Sequence, residues 1–365
     1  MTSVLPKRLT GGRLFSLVEA LATPHHVDRY LELLDPMATV RDMRAEVTAV
    51  HKSTDDTVTL TLRPTRHWLG FHAGQFVQVG VVIDGVRHTR CYSPACSQHR
   101  NDGHIELTVK AHPDGLVSQY LHRNARVGLV VDLSQASGAF RMPNARPASV
   151  LLISGGSGIT PVLSMLRTLV DENYRGQITF LHYAYTEQDV SYRAELDRIA
   201  AANDNVNLVL AYTDQQTGGD LHGFFDQAHL DAAAPWHRDA ETYLCGPPGL
   251  MRGVRELFRD IDLEDRLHTE EFAPPVVATE DATGTASFST SGIESANAGA
   301  NLLEQAEAAG LTPEYGCRMG ICFTCTSTKI SGCTKNLRTG EIDNDPDQPI
   351  QLCISAAVGD VEIAI

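Results

Sequence analysis

The chain of 365 residues has no run of about 18–20 uninterrupted apolar residues, so no segment reads as a membrane-crossing helix. Basic residues are outnumbered. The 30 Lys and Arg stand against 45 Asp and Glu, a net charge of −15. That balance argues against nucleic-acid binding, which needs a basic face to displace condensed counterions. It suits docking to a basic protein surface. There is no internal repeat, no Glu-x-x-His pair and no facial triad of ligands, which disfavours an oxygenase centre within the chain. The scattered histidines, His25 and His26 among them, read as surface or packing residues. An evenly spread disulfide framework is also missing. Of eight cysteines, Cys317, Cys322, Cys325, Cys333 and Cys353 crowd into the last fifth of the chain. Clustered cysteines in a long acidic chain read first as metal ligands.

The length calls for two or three domains, and 42% apolar residues with 29 Gly and 17 Pro fit a turn-rich globular protein. Near the start, Lys7, Arg8 and Arg13 precede an apolar stretch, Leu14 to Ala22, that mimics a secretory leader. Glu19 interrupts it, and Leu14, Leu17, Val18 and Leu21 recur at helical spacing, so an amphipathic helix is the better reading. Residues 1–42 form a helical extension of two short helices, broken at Thr23-Pro24 and ended by Asp35-Pro36. Over 43–145 the alternation of Val58–Leu62, Gln75–Val79 and Ile105–Val109 predicts a small antiparallel β-barrel. Over 146–274 the rhythm changes. Ser149–Ile153 is a continuous apolar run, followed by a helix over Val162–Val170, a strand over Ile178–Tyr185, a helix over Tyr192–Ala202, and strands over Val206–Ala211 and Thr242–Cys245. This predicts a parallel α/β sheet with crossover helices. Residues 275–284 read as a linker, and 285–365 carry the cysteine cluster.

Cys317, Cys322 and Cys325 are spaced C-x4-C-x2-C, and Cys353 follows at a distance. This is the plant-type [2Fe–2S] spacing, with one loop wrapping two irons and a distant thiolate closing the site. Gly316 and Gly320 let the backbone approach the sulfurs closely. Zinc is the rival, but it usually wants two CxxC-type pairs and only one is present. Cys333 fits no ligand position and reads as a packed thiol. Glu314-Tyr-Gly-Cys-Arg-Met-Gly-Ile-Cys-Phe-Thr-Cys325, preceded by Leu302-Leu-Glu-Gln-Ala306, resembles the plant-type ferredoxin domain, which implies a β-grasp fold.

Arg90-Cys-Tyr-Ser93 ends a β-rich stretch. A flavin needs a cation for its phosphates, an aromatic face and a hydrogen bond near N5, and Arg90, Tyr92 and Ser93 offer all three. An ordinary edge strand with a solvated Arg is the plain alternative. Lys110 ends a later strand, and Gly115-Leu-Val-Ser-Gln-Tyr-Leu121 could turn backbone N–H groups toward a pyrophosphate. The set resembles the ferredoxin–NADP reductase family. That resemblance implies that Arg90 binds flavin phosphate, Tyr92 stacks on the flavin and Ser93 lies near N5, with Val117, Ser118 and Gln119 completing the phosphate site. FAD is the expected flavin. FMN is the alternative, since reductases of the phthalate dioxygenase type use it in the same domain order.

Gly155-Gly156-Ser157-Gly158-Ile159-Thr160-Pro161 follows a buried strand and opens a helix, a setting for a pyrophosphate. Pro161 stands where a dinucleotide fingerprint has its third Gly, so a plain Rossmann domain is disfavoured and a mere tight turn stays open. Cys245-Gly246-Pro247-Pro248-Gly249 ends another strand at the carboxyl edge, where α/β sheets bind ligands. Both motifs match the same family. The resemblance implies that Cys245 sits beside the nicotinamide and orients hydride transfer. Alone, Cys245 would read as a buried structural thiol. Glu271-Phe272 end the domain, where the family often places an aromatic or acidic residue near the flavin. Glu187 could bind a ribose diol, whereas Arg193 with Ser191 could meet a 2′-phosphate, and the Arg tips the reading toward NADPH.

Nicotinamide gives two electrons as hydride and a [2Fe–2S] cluster accepts one, so a flavin must stand between them. The chain is therefore read as a multidomain NAD(P)H:acceptor oxidoreductase, with Ser93 and Cys245 at the reacting centre. Ten acidic residues against four basic over 283–365 could dock a basic acceptor, although a solvated face is the commoner explanation. The whole chain resembles bacterial reductases that feed membrane-bound acyl-CoA desaturases. This implies a cytoplasmic protein transiently at the membrane surface through its partner. Reductases of Rieske oxygenases share the domain order, and a redox-sensing module without turnover is the reading from another class.

Overall fold

The computed structural model describes residues 27–113, 115–272 and 283–365. The helix expected around Leu14–Ala22 and most of the expected linker lie outside them. A short helix, α1 (Val27–Leu31), comes first. Asp28 within it is buried and accepts hydrogen bonds from the backbone N–H groups of Val40, Arg41 and Asp42 at 2.6, 2.8 and 2.8 Å, pinning this segment to the strand that follows.

Three six-stranded sheets then succeed one another. The first comprises β1 (Arg44–Thr54), β2 (Thr57–Pro64), β3 (Val77–Ile83), β4 (Val86–Tyr92), β5 (Ile105–Lys110) and β6 (Val130–Leu133), in the antiparallel order β4-β3-β6-β1-β2-β5. The alternation read in β2 and β5 is real: Val58, Leu60 and Leu62 face the same core as Ile105, Leu107 and Val109. Strands β3 and β4 turn on Asp84-Gly85, both at positive φ (51° and 80°), a two-residue reversal that matches the strand twist. Helix α2 (Leu116–Asn124) closes the core with Val117 and Leu121.

The second sheet is parallel throughout. It runs through β7 (Ser149–Gly155), α3 (Ile159–Asp171), β8 (Gln177–Ala184), α4 (Arg193–Ala202), β9 (Val206–Tyr212), β10 (Leu221–His222), α5 (Gln227–Ala233), β11 (Glu241–Cys245), α6 (Pro248–Asp260) and β12 (Leu267–Glu270). The order β10-β9-β8-β7-β11-β12 changes direction between β7 and β11, which opens a crevice at their carboxyl ends. Strand β7 is apolar along its length because helices cover both faces. Helix α4 starts one residue later than expected, since Tyr192 takes the left-handed conformation (φ 64°). Arg167 of α3 ties the first two sheets together: it donates to Ala95 O at 2.7 Å and to Glu106 at 2.7 Å while holding Glu195 at 2.6 Å.

The third sheet contains β13 (Thr285–Phe288), β14 (Ile293–Ala296), β15 (Thr326–Asn336), β16 (Ile342–Asp343), β17 (Gln348–Gln351) and β18 (Ser355–Ile363), with helix α7 (Leu302–Ala308) packed on it. Strands β13 and β18 pair in parallel and the rest are antiparallel. Asn301 caps α7 by accepting from Glu304 N at 2.9 Å. Between α7 and β15, residues 309–325 form no helix or strand, and the cysteine trio lies in this loop. Among the described residues, no helix is long and apolar enough to cross a membrane.

Candidate functional site

Strand β4 carries Arg90 and Tyr92, and Ser93 follows directly. The Arg90 guanidinium donates to Thr89 O at 2.8 Å and makes no ion pair within the described residues. Burial raises the Tyr92 hydroxyl pKa, so the ring stays neutral. Ser93 is buried, with Oγ 3.5 Å from Glu270 Oε2. Lys110 ends β5 and pairs with Asp56 at 3.2 Å. Helix α2 begins after Gly115, where a Cβ would fall 2.3 Å from Ser118 Oγ. The Ser118 hydroxyl braces this turn, donating to Gly115 O at 3.0 Å and accepting from His112 N at 3.2 Å. Gln119 is committed, its side chain to His112 O and its backbone N–H to Gly115 O, both at 2.9 Å. The first-turn N–H groups are therefore those of Leu116, Val117 and Ser118.

At the crevice, the glycines divide the work differently from the expectation that all three admit a pyrophosphate. A Cβ on Gly158 would stand 2.2 Å from Cys245 O and 2.7 Å from Gly246 N, and one on Gly155 would meet Pro247 Cδ at 2.8 Å. These two let the turns after β7 and β11 press together. Gly156 faces open space at φ 51° and is the one left free for a ligand. Thr160 and Pro161 are buried in the first turn of α3, with Thr160 Oγ1 donating to Ser157 O at 3.3 Å. Pro247 precedes α6 and seals Gly155 from the other side.

Cys245 is fully buried, and burial raises its thiol pKa, so it is a packing group rather than a thiolate. It pairs across the sheet with Ser154 and Glu270. Glu270 is the residue that sequence reasoning missed. Its carboxyl is almost wholly buried, and that desolvation pushes its pKa up to about 8, against the opposing Ser93 hydrogen bond and Arg338 charge. The neighbouring Glu271, which the sequence had singled out, turns away to Arg255 at 2.6 Å. The two glutamates are indistinguishable by pattern; strand register decides which one faces inward.

Arg193 opens α4 and lies at the carboxyl end of the sheet. It is held by Asp197 at 2.9 Å, by Glu187 at 3.3 Å and by the Tyr212 hydroxyl at 3.0 Å. Tyr192 beside it reaches back to the first sheet, donating to Glu106 at 3.1 Å and bonding Thr108.

The four late cysteines are all free thiols and gather around the 309–325 loop. Met319 N and Ile321 N point at Cys317 Sγ from 3.3 and 3.4 Å. Cys317 N points at Cys322 Sγ from 3.2 Å, and Cys353 N at Cys325 Sγ from 3.5 Å. The loop achieves this through left-handed backbone at Arg318, Gly320 and Phe323. A Cβ on Gly316 would collide with Cys322 Sγ at 2.8 Å. The sulfurs are neighbours of one another: Cys317 lies near both Cys322 and Cys353, and Cys353 lies near Cys325. Four soft sulfur ligands, three of them with backbone N–H groups aimed at their sulfurs, fit a two-iron cluster. Cys333 sits apart in β15, opposite Val358.

Residues 44–142 match the oxidoreductase FAD-binding domain family, and residues 152–256 match the oxidoreductase NAD-binding domain family. An NADPH oxidoreductase of Mycobacterium tuberculosis is 35% identical over 351 residues, covering 94% of this chain and 90% of that one. The glycine betaine monooxygenase reductase subunit of Chromohalobacter salexigens is 29% identical, covering 80% of this chain and 87% of that one. Phthalate dioxygenase reductase, a solved structure, superposes with a TM-score of 0.62 at 23% identity over 88% of this chain and 97% of that one, a likeness of fold.

Proposed function

The chain belongs to the ferredoxin–NADP reductase family and is an NAD(P)H-dependent, FAD-containing oxidoreductase, and from that premise we propose that it passes electrons through a [2Fe–2S] cluster on Cys317, Cys322, Cys325 and Cys353 to an acceptor protein. The C-terminal sheet is then a β-grasp ferredoxin domain. When bound, the flavin takes two electrons as hydride and releases them one at a time. The first-turn amides of α2 and the Arg90 cation would hold its phosphates, and Tyr92 would cover its ring. Gly156 and the amino end of α3 receive the nucleotide pyrophosphate. Cys245, buried and neutral, shapes the floor on which the nicotinamide rests. Glu270 is protonated at neutral pH and bonded to Ser93 Oγ, so the pair holds a proton beside the reacting centre. Catalysis by such a site is chiefly positioning.

The observation that carries this reading is that one strand touches both neighbours. Ser93 meets Glu270 of the nucleotide sheet, while Cys91, two residues earlier, meets Cys317 of the cysteine loop. A flavin held by Arg90, Tyr92 and Ser93 would therefore lie between the nucleotide sheet and the cysteine loop. Purified protein should be coloured, with FAD released on denaturation and two irons per chain, and should reduce cytochrome c with NADPH. A colourless preparation rules the proposal out, and negligible turnover points to a redox sensor. We infer NADPH as donor from Arg193 and read a membrane acyl-CoA desaturase as the acceptor from the whole-chain resemblance. Similarity to the glycine betaine monooxygenase reductase favours an oxygenase component as the second reading. Co-expression with each acceptor class, assayed for unsaturated acyl or hydroxylated product, separates them.

A further inference from the structure

The junction between the first sheet and the cysteine loop is built from one cross-strand pair. Gln78 of β3 and Cys91 of β4 face each other in register. Gln78 Nε2 donates to Thr324 Oγ1 at 3.5 Å, and the Thr324 hydroxyl lies in hydrogen-bonding reach of Cys322 Sγ. Cys91 Sγ lies in hydrogen-bonding reach of Cys317 Sγ. The two contacts are independent, and they reach two neighbouring cysteines, Cys317 and Cys322. Neither touches Cys325 or Cys353. Cys91 is half-buried between Arg90 and Tyr92 on β4.

We propose that this barrel pair supplies outer hydrogen bonds to one side of the iron–sulfur centre, Cys91 directly to Cys317 and Gln78 through Thr324 to Cys322, and thereby sets its reduction potential. The proposal rests on the cluster reading given above. Accepting an electron adds negative charge that spreads over the ligand sulfurs. A donor aimed at a ligand sulfur stabilises the reduced form more than the oxidised form and raises the potential. Because Cys91 belongs to the strand that carries the flavin motif and Gln78 to the strand paired with it, Cys317 and Cys322 are the ligands that would lie on the flavin side. Gln78 and Cys91 are positioning residues. They act on the centre through its ligands.

The test is a spectroelectrochemical titration of the full iron-loaded chain, with EPR of the reduced cluster, in the wild type and in Cys91→Ala, Cys91→Ser and Gln78→Leu. Cys91→Ala should shift the oxidised-to-reduced ratio at a fixed potential about tenfold toward oxidised, a fall of about 59 mV for one electron. Cys91→Ser keeps a donor in nearly the same volume and should recover most of that shift, and Gln78→Leu should give a smaller fall. The FAD midpoint, measured in the same sample, should stay in place, which a general loosening of the junction would not allow. Unchanged cluster potentials in all three variants, with iron content intact, overturn the proposal. A wild-type chain that binds no iron fails earlier and overturns the cluster reading beneath it.

Discussion

The crevice of the second sheet and the cysteine loop of the third hold their chemistry by opposite means. At the crevice, every reacting residue ends a regular strand or opens a helix, and register alone fixes Cys245 opposite Ser154 and Glu270. In the loop there is no ladder to set the spacing. Left-handed residues at 318, 320 and 323 turn N–H groups inward, and these donors converge on sulfur. A strand-end site is stiff without its ligand because its scaffold is already paired. A loop whose amides point at sulfur would gain its order from a metal group bound by those sulfurs.

Removing a loop thiolate sharpens that contrast most. Cys353→Ser should abolish the cluster, leaving iron below half the wild-type content and cytochrome c reduction lost, while FAD stays bound and NADPH still bleaches it in stopped flow. Loss of the flavin in the same variant would mean that the two regions are not separable. The next effect belongs to the crevice. Glu270 has its pKa raised by burial from 4.5 to about 8. Its neutral form stabilises the fold fully below about pH 4.5, and that contribution is lost as pH rises through 8, because the unfolded chain ionises first. Glu270→Gln cannot ionise. It should match the wild type in unfolding free energy from urea titration near pH 5 and exceed it at pH 8 by on the order of a few kcal/mol. A constant difference between the two across that range would sink the assignment.

The same division explains what was legible in the sequence. The alternation in β2 and β5 and the apolar run of β7 report which faces are buried, so the sheets could be read directly. The clustering of late cysteines was equally direct, and the structure gathers Cys317, Cys322, Cys325 and Cys353 around one loop. Glu270 was not legible. Adjacent Glu270 and Glu271 are equivalent until β12 is registered against β11, and only then does one face Ser93 and the other Arg255. Cys91 was hidden for a related reason: its partner lies in a loop more than two hundred residues away. The glycine motif was legible as a turn, but not in its parts. Which glycine admits a ligand and which admits a neighbouring backbone depends on the β11 turn packed against it.

That last point can be broken at a single atom. Gly158→Ala would place a methyl 2.2 Å from Cys245 O, so one of the two turns must retreat, at a cost of about 1–3 kcal/mol in stability and a marked rise in the NADPH KM. Gly156→Ala meets no neighbour and pays only for its left-handed backbone, about 1 kcal/mol, so it should fold nearly as well. Equal thermal shifts in the two variants would contradict the packing role of Gly158.

The smallest effect tests the nucleotide preference. Arg193 is engaged by Asp197, Glu187 and Tyr212, and a 2′-phosphate must compete with both carboxylates for its guanidinium. Charge-assisted bidentate contact favours the phosphate, but the rivalry limits the gain. Arg193→Leu should therefore lower kcat/KM for NADPH about tenfold, about 1.4 kcal/mol, and leave NADH within about twofold. Glu187→Gln removes one competitor and should move the ratio the other way. An NADH preference in the wild type that Arg193→Leu leaves untouched would mean that Glu187 holds a ribose diol and that the Arg serves only to brace α4.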